Sequence, residues 1–277
     1  MPFKMRELTM KQPIRKITRG GKEPPDAGAV LTGNVDDQCS DQWSVFLAGV
    51  IDRCQRTNGE RKQVRSKKRD QEILRAALRV FARDGISRSR IGDIASEAGM
   101  PVSTIYEYYS SKEEIAYTVP TANFAQFFLE YAEAVADKKT ARERLRLYLW
   151  LAADFARRNP EWARVLYLEI WPSVLVTESS LRHGFDDYVH IVLYLIRQGE
   201  IDGEWPAGPN PYETAAILNG SVNQIIITSL LYRRPRNLST AAASIVDRAM
   251  TVLQPAPIKS PGMKKRAPPK KAVPKGR

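Results

Sequence analysis

Apolar residues recur at spacings of three and four from about residue 64 to 254, and no stretch alternates long enough to make a useful strand. The pattern predicts an all-α chain. A first helix is expected over Ser66–Arg83, with Ile73, Leu74, Ala77, Leu78 and Phe81 on one face and Gly85 placed for a left-handed cap. A short second helix spans about Ile91–Ala98, burying Ile91, Ile94, Ala95 and Ala98, and stops at Gly99. A third begins near Pro101, where a missing N–H costs nothing, and ends near Tyr109. Two short helices joined at a glycine turn and braced by a longer amphipathic one make a helix-turn-helix.

Five or six further helices follow Lys112. Thr140-x-x-Glu143 is a capping-box start for a helix to about Arg158, and Asn159-Pro160 restarts the chain into Glu161–Trp171. Ser179 or Ser180 opens a helix to about Gln198 that Gly199 closes. Asn210-Pro211 opens the next, to about Tyr232, and Ser239 the last, to about Leu253. Ile217, Leu218, Val222, Ile225, Ile226 and Leu230 continue one apolar face, with Gly220 and Ser221 allowing close approach. Ala241, Ala242, Ile245, Ala249 and Val252 supply a second. Two copies of this helix pair would make a four-helix dimer interface. Pro120, early in the fourth helix, reads equally as a kink or as a simple break.

The flanks read differently. Residues 1–60 carry Gly20-Gly21, Pro24-Pro25 and scattered charge, and are expected as a disordered extension. Within them Trp43, Val45, Phe46, Leu47, Val50 and Ile51 could form a turn or two of helix, but no partner is evident. Residues 255–277 repeat Pro, Lys and Ala and are expected as a disordered basic tail.

At 277 residues with 43% hydrophobic content, the chain can bury a sizeable core in one or two domains. Its purely apolar runs are far shorter than the roughly 20 residues of a membrane span, and no apolar signal region follows the basic N-terminus. Only Cys39 and Cys54 are present, so neither a disulfide framework nor a Cys-rich zinc site is expected. The expectation is a reduced cytoplasmic protein with no membrane partner. The net charge of +12 is unevenly spread. Residues 61–112 hold 12 basic against 6 acidic side chains, and the tail from 255 holds eight basic and no acidic ones. Residues 1–60 carry a net +1 and residues 113–254 a net −3. Such segregation suits a basic module for a polyanion joined to a larger module with another task.

The residues from Ile73 to Ile115 carry a family resemblance. Ile73-Leu74-Arg75-Ala76-Ala77, Phe81, Gly85, Asp93-Ile94-Ala95 and Ala98-Gly99 lead into Thr104-Ile105-Tyr106-Glu107-Tyr108-Tyr109-Ser110-Ser111-Lys112-Glu113. This order and spacing resembles the DNA-binding domain of TetR-family transcriptional regulators. The resemblance implies a helix-turn-helix domain over 61–112, a helical ligand-binding and dimerisation domain over 113–254, a homodimer, and a double-stranded DNA operator with inverted half-sites. It further implies a repressor that responds to a small apolar effector.

In such regulators the third helix lies in the major groove, which would bring Val102, Ser103 and Thr104 to the bases. Tyr106 and Tyr108 would offer hydroxyls to phosphates, although Tyr108 also fits a packed role; Ile105 and Tyr109 read as core. Lys112 would add its charge to a helix N-terminus. Ser89 and Arg90 would meet the backbone at the start of the second helix, and Lys67 and Lys68, followed by Arg69, would do so ahead of the first. Val102 stands where the family often has Lys, Ser103 where it often has Gly, and Ser89-Arg90 where it has paired Thr. The operator sequence is therefore not implied.

Aromatics crowd residues 124–188, and helical bundles place small-molecule sites between facing helices. Phe127, Tyr131, Tyr148 and Phe155 are the candidate ligand residues from the first helices of this module, and Tyr167, Trp171, Tyr188 and Asn223 those from the later ones. Ordinary core packing is the competing reading for each. Asn159-Pro160-Glu161, the Val165–Ile170 run and Gln198-Gly199-Glu200-Ile201 resemble family members that sense fatty acyl-CoA. No cofactor or metal is expected. His183 and His190, seven apart beside Asp186 and Asp187, are too widely spaced to ligate one metal unaided, and no P-loop, dinucleotide fingerprint or nucleophile elbow is present. An enzyme is thus disfavoured. The remaining alternative is a DNA-organising or partner-binding helix-turn-helix protein without a small ligand, its Lys/Pro tail either adding sequence-independent affinity or serving as an inert extension.

Overall fold

The structure is a computed structural model that describes residues 42–53, 64–173, 179–208 and 210–254. The basic tail and most of the N-terminal extension lie outside these residues. Within them the chain is helical. Helix α1 covers residues 42–53, followed by α2 (Val64–Asp84), α3 (Ile91–Ala98), α4 (Val102–Tyr108) and α5 (Lys112–Val135). Then come α6 (Ala141–Arg158), α7 (Pro160–Arg164), a π-helical segment (Val165–Ile170), α8 (Ser179–Ile201), α9 (Pro211–Tyr232) and α10 (Leu238–Ala249), which ends in a 3-10 turn (Met250–Leu253).

Helices α2 to α4 form the helix-turn-helix. Ile73, Ala77, Val80 and Phe81 of α2 are buried against Ile94 and Ala95 of α3, and Ile105 of α4 is fully buried. Gly85 and Gly99 both take left-handed φ, 82° and 64°, which lets the chain leave α2 and α3 without a Cβ penalty. Each start has its acceptor. The Asp93 carboxylate takes the Arg90 N–H at 2.8 Å, and the Ser111 hydroxyl takes the Glu114 N–H at 3.1 Å ahead of α5. Glu114 reciprocates by accepting from the Ser110 N–H at 2.7 Å.

The expected disorder of residues 1–60 needs correction at α1. Trp43, Leu47 and Val50 share one face at helical spacing and are buried. Trp43 meets Tyr131 edge-on at 6.2 Å, Phe46 stacks on Tyr194 at 4.4 Å, and the Arg144 guanidinium lies over Trp43 at 5.4 Å. Arg53 then pairs with the buried Asp187 carboxylate at 2.6 Å. The missing partner was the seam between α5, α6 and α8, which only the fold assembles.

Three further boundaries differ from expectation. Helix α8 runs through Gly199 to Ile201, because a Cβ at Gly199 would come within 2.0 Å of the Trp205 ring. The glycine is there for close packing; the left-handed residue beyond the helix is Gly203, at φ 72°. Helix α10 is capped by Asn237, whose side chain accepts from the Thr240 N–H, and not by Ser239, whose hydroxyl instead donates to Asp154 at 2.9 Å. The stretch expected as one α-helix over Glu161–Trp171 turns π-helical from Val165, with the Trp171 N–H reaching the Leu166 carbonyl at 2.8 Å.

The larger module is a bundle in which α6 packs against α5, α8, α9 and α10. Its capping box is formed as expected, with Thr140 and Glu143 exchanging hydrogen bonds. Glu204 caps the same end from the loop after α8, accepting from the Ala141 and Arg142 N–H groups at 2.6 and 3.0 Å. Among the described helices α9 alone is long and apolar enough to cross a membrane by length and composition, with a window hydropathy of 1.3. Its apolar residues are divided between the bundle core, with Leu218, Val222 and Ile226 buried, and an outward stripe that includes Ile217 and Leu231.

Candidate nucleic-acid interface and aromatic cavity

Helix α4 presents two faces. Ile105 points into the core, while Val102 and Tyr106 are 43% and 56% exposed and Ser103 is exposed beside them. Thr104 and Tyr108 are half-buried at the edge. Tyr109 is buried and its hydroxyl donates to Asp70, which fixes the end of α4 on α2. Lys67, Lys68 and Arg69 are exposed on the first turns of α2, and Arg90 is exposed ahead of α3. A short helix with one apolar residue anchored and its polar side outward, rimmed by cations, is geometry that can enter a groove and hold phosphates.

Two expected contacts change. Ser89 is 3% exposed and its hydroxyl donates to the Gly85 carbonyl at 2.6 Å, so it braces the turn after α2 and does not offer its hydroxyl to DNA. Lys112 donates to the Ser89 carbonyl at 3.0 Å, tying the start of α5 to the same turn. Its charge remains at the edge of the interface. Other cations in the block are committed to structure: Arg79 and Arg83 clamp Glu97 of α3 at 2.6 and 3.4 Å. The hydrogen bond from Arg79 holds the Glu97 carboxyl below the usual range.

The bundle encloses a small aromatic cavity of about 280 Å³, counting its opening to solvent. Phe127, Tyr167, Trp171 and Tyr188 line it, as do Phe124, Trp162, Ala152 and Leu166. Phe124 crosses Trp162 edge-on at 5.9 Å, Tyr167 stacks on Trp171 at 5.9 Å, and Trp171 is 37% exposed at the mouth. No charged side chain lines the wall. The π-helical segment contributes Leu166 and Tyr167, and its extra backbone turn is what rotates both into the space.

The other expected ligand residues sit elsewhere. Phe155 stands behind the wall, edge-on to Phe127 and Trp162 at 5.6 and 5.0 Å. Asn223 touches the cavity only through the Tyr167 hydroxyl, which donates to its Oδ1 at 3.4 Å. Tyr131 and Tyr148 do not line it: the Tyr131 hydroxyl donates to the Arg144 carbonyl and the Tyr148 hydroxyl to the Tyr188 carbonyl, at 3.1 and 3.0 Å. Burial pushes both phenols above their usual range. They form the layer between the cavity and α1. Phe124 and Trp162 belong to the aromatic cluster visible in the sequence; Ala152 and Leu166 gave no signal there.

Three buried polar atoms have no hydrogen-bond partner among the described residues: Trp162 Nε1, the Tyr188 hydroxyl and Asn219 Oδ1. The first two belong to the cavity wall. His190 is exposed and Asp187 is paired with Arg53, and no group of three metal-ligating side chains assembles among the described residues; the His183 side chain lies outside them.

The cavity wall is tied to the helix-turn-helix. Glu169, on the π-helical segment, accepts the Ile86 N–H at 3.2 Å, and its carboxylate lies against Gly85. Arg164 donates to the Ala82 carbonyl at the end of α2, at 3.3 Å.

Comparison with known proteins agrees with this arrangement. The family model described as bacterial regulatory proteins, tetR family, matches residues 73–117. A fatty acid metabolism regulator protein of Bacillus subtilis is 25% identical over 176 residues, spanning 64% of this chain and 91% of that protein. The HTH-type transcriptional repressor NicS of Pseudomonas putida is 34% identical over 155 residues, spanning 53% of this chain and 70% of that one. The crystal structure of FadR from Bacillus subtilis in complex with stearoyl-CoA superposes with a TM-score of 0.61 at 24% identity, over 65% of this chain and 96% of that chain. With the helix-turn-helix built on the residues that the family model matches, the chain belongs to the TetR family of bacterial transcriptional regulators.

Proposed function

We propose that this regulator is a dimeric repressor whose hold on an inverted-repeat operator is released by an apolar effector, with a fatty acyl-CoA as the effector class. Residues 61–112 form the DNA-binding module and 113–254 the effector and dimer module. Val102, Ser103 and Thr104 face the bases, while Lys67, Lys68, Arg90, Tyr106 and Lys112 hold the backbone. The module works by binding and carries no catalysis, and its target places it in the cytoplasm.

The observation that carries this reading is the tie between cavity and helix-turn-helix. Leu166 and Tyr167 line the cavity, and Glu169, on the same π-helical segment, holds the Gly85–Ile86 turn from which α3 departs. A cavity of about 280 Å³ lies just below the roughly 300–1,000 Å³ of usual small-molecule sites. A long acyl chain must therefore part these walls, and moving the π-helical segment pulls on the turn. Two recognition helices must fit both half-sites together, so a small change in their separation removes specific affinity. The bound stearoyl-CoA of the Bacillus subtilis structure and the name of the curated relative support the effector class.

The dimer rests on α9 and α10. Ile217 and Leu231 are 49% and 54% exposed on one stripe of α9, and Gly220 between them has open space where a Cβ would stand. A second copy of the same pair would cover this stripe.

The test is a gel-shift titration on the DNA flanking the chain's own gene and on random DNA, with and without stearoyl-CoA. A selective shift abolished by stearoyl-CoA is the expected result. A selective shift indifferent to it would remove the acyl-CoA class. Equal binding to both DNAs would favour a DNA-organising role.

A further inference from the structure

We infer that the effector of this cavity carries an uncharged hydrogen-bond acceptor, a ketone, ester or thioester carbonyl on an apolar body, held by Trp162 Nε1 and the Tyr188 hydroxyl. The inference rests on the effector reading above and narrows its chemistry.

Both atoms are buried without a partner, in residues that are each 4% exposed and that line the same cavity. An indole N–H can only donate, and a phenol hydroxyl shut away from water needs an acceptor for its proton. Native interiors seldom leave such donors unmet, and two on one cavity wall point to a missing partner and not to a packing accident. The wall cannot supply it. Beyond these two its side chains are hydrocarbon or aromatic, apart from the Tyr167 hydroxyl, which is directed to Asn223. The Tyr188 phenol is pushed above its usual range by burial, so it stays a neutral donor. The acceptor has to come with the ligand.

The same wall decides the ligand's charge. No lysine, arginine or histidine lines the cavity, so a carboxylate entering it would lose its hydration with no counter-charge to replace it. A hydrocarbon without oxygen would fill the space and leave both donors unmet. A neutral carbonyl satisfies them.

Three probes of matched shape separate these cases: acetophenone, ethylbenzene and benzoate. Titration calorimetry of the full chain should show acetophenone binding about tenfold more tightly than either of the others. Tyr188→Phe should weaken acetophenone by about five- to tenfold and leave ethylbenzene unchanged. Because that substitution removes an unmet hydroxyl, the free variant should melt no lower than the parent. The indole N–H resonance that disappears in Trp162→Phe should move downfield with acetophenone and not with ethylbenzene. Acetophenone and ethylbenzene binding within twofold of each other, or a Tyr188→Phe variant that binds acetophenone as the parent does, would overturn the acceptor while leaving an apolar effector standing. Failure of all three probes in protein that still shifts its operator would overturn the effector reading along with it.

Discussion

The carboxylate of Glu169 accepts the backbone N–H of Ile86 at 3.2 Å and lies 3.3 Å from where a Cβ at Gly85 would stand. One residue of the π-helical cavity wall thus holds the turn between the first two helices of the DNA-binding module. These residues are 83 positions apart, and no local pattern joins them.

Glu169→Ala should cut this link. Operator affinity without effector is expected to stay within about threefold, while release by stearoyl-CoA weakens by a large part of the usual 5- to 150-fold coupling range. Glu169→Gln keeps an acceptor oxygen and should keep most of the response. Operator titrations of both variants with and without stearoyl-CoA decide it, and a full response in Glu169→Ala would remove Glu169 from the relay.

Lys112 has its ammonium on the Ser89 carbonyl and its charge at the edge of the interface. Lys112→Ala should weaken binding to every DNA sequence by a similar factor and lower the slope of log affinity against log salt by about 0.9. Tyr106→Phe removes a neutral hydroxyl, costs about 1 kcal/mol at most, and should leave the slope alone. A loss confined to one base pair would contradict both assignments.

Trp43 is 5% exposed on the bundle side of α1, whereas Val45 is 72% exposed on the other. Trp43→Ala should cost about 3–5 kcal/mol of stability, with Val45→Ala near zero. Urea unfolding of the two variants measures the difference. Equal midpoints would mean that α1 does not dock in solution.

Gly199 and Trp205 form a pair in which one side chain takes the room of the other. Gly199→Ala brings a methyl within 2.0 Å of the Trp205 ring and should destabilise by about 1–3 kcal/mol. In a Trp205→Leu background the same change should cost much less. A double-mutant cycle by thermal unfolding gives the coupling, and strict additivity would refute the clash.

Asp154 lies between Arg158, Ser239 and Arg157. Burial raises its carboxyl, but the hydrogen bonds from these three outweigh it and hold the group below the usual aspartate range. A depressed folded pKa adds stability that is present above the unfolded value, near pH 4, and is lost as pH falls through the lower folded value. Asp154→Asn should therefore flatten the acid limb of a stability-against-pH curve, while costing roughly 1 kcal/mol at neutral pH because both arginines are partly exposed. An unchanged acid limb would show that other carboxylates set it.

Local chemistry made much of this protein legible. The starts at Asn210 and Thr140, the left-handed glycines 85 and 99, and the outward face of α4 each depend on residues within a turn of one another. Gly199 misled because a helix-internal glycine and a helix-ending one look alike until the packed ring of Trp205 is in place.

By itself, then, the sequence determined the helical class, the helix-turn-helix and its exposed recognition face, since capping and periodicity act over a few residues and the order of motifs is contiguous. Tertiary structure alone decided which aromatics line a cavity and which stand behind it. It also decided that α1 has a seam to fill, that Ser89 turns inward, and that Glu169 holds the turn at Ile86. Each of those depends on elements brought together from distant parts of the chain, where contact is set by how whole helices pack, and spacing along the sequence carries no record of it.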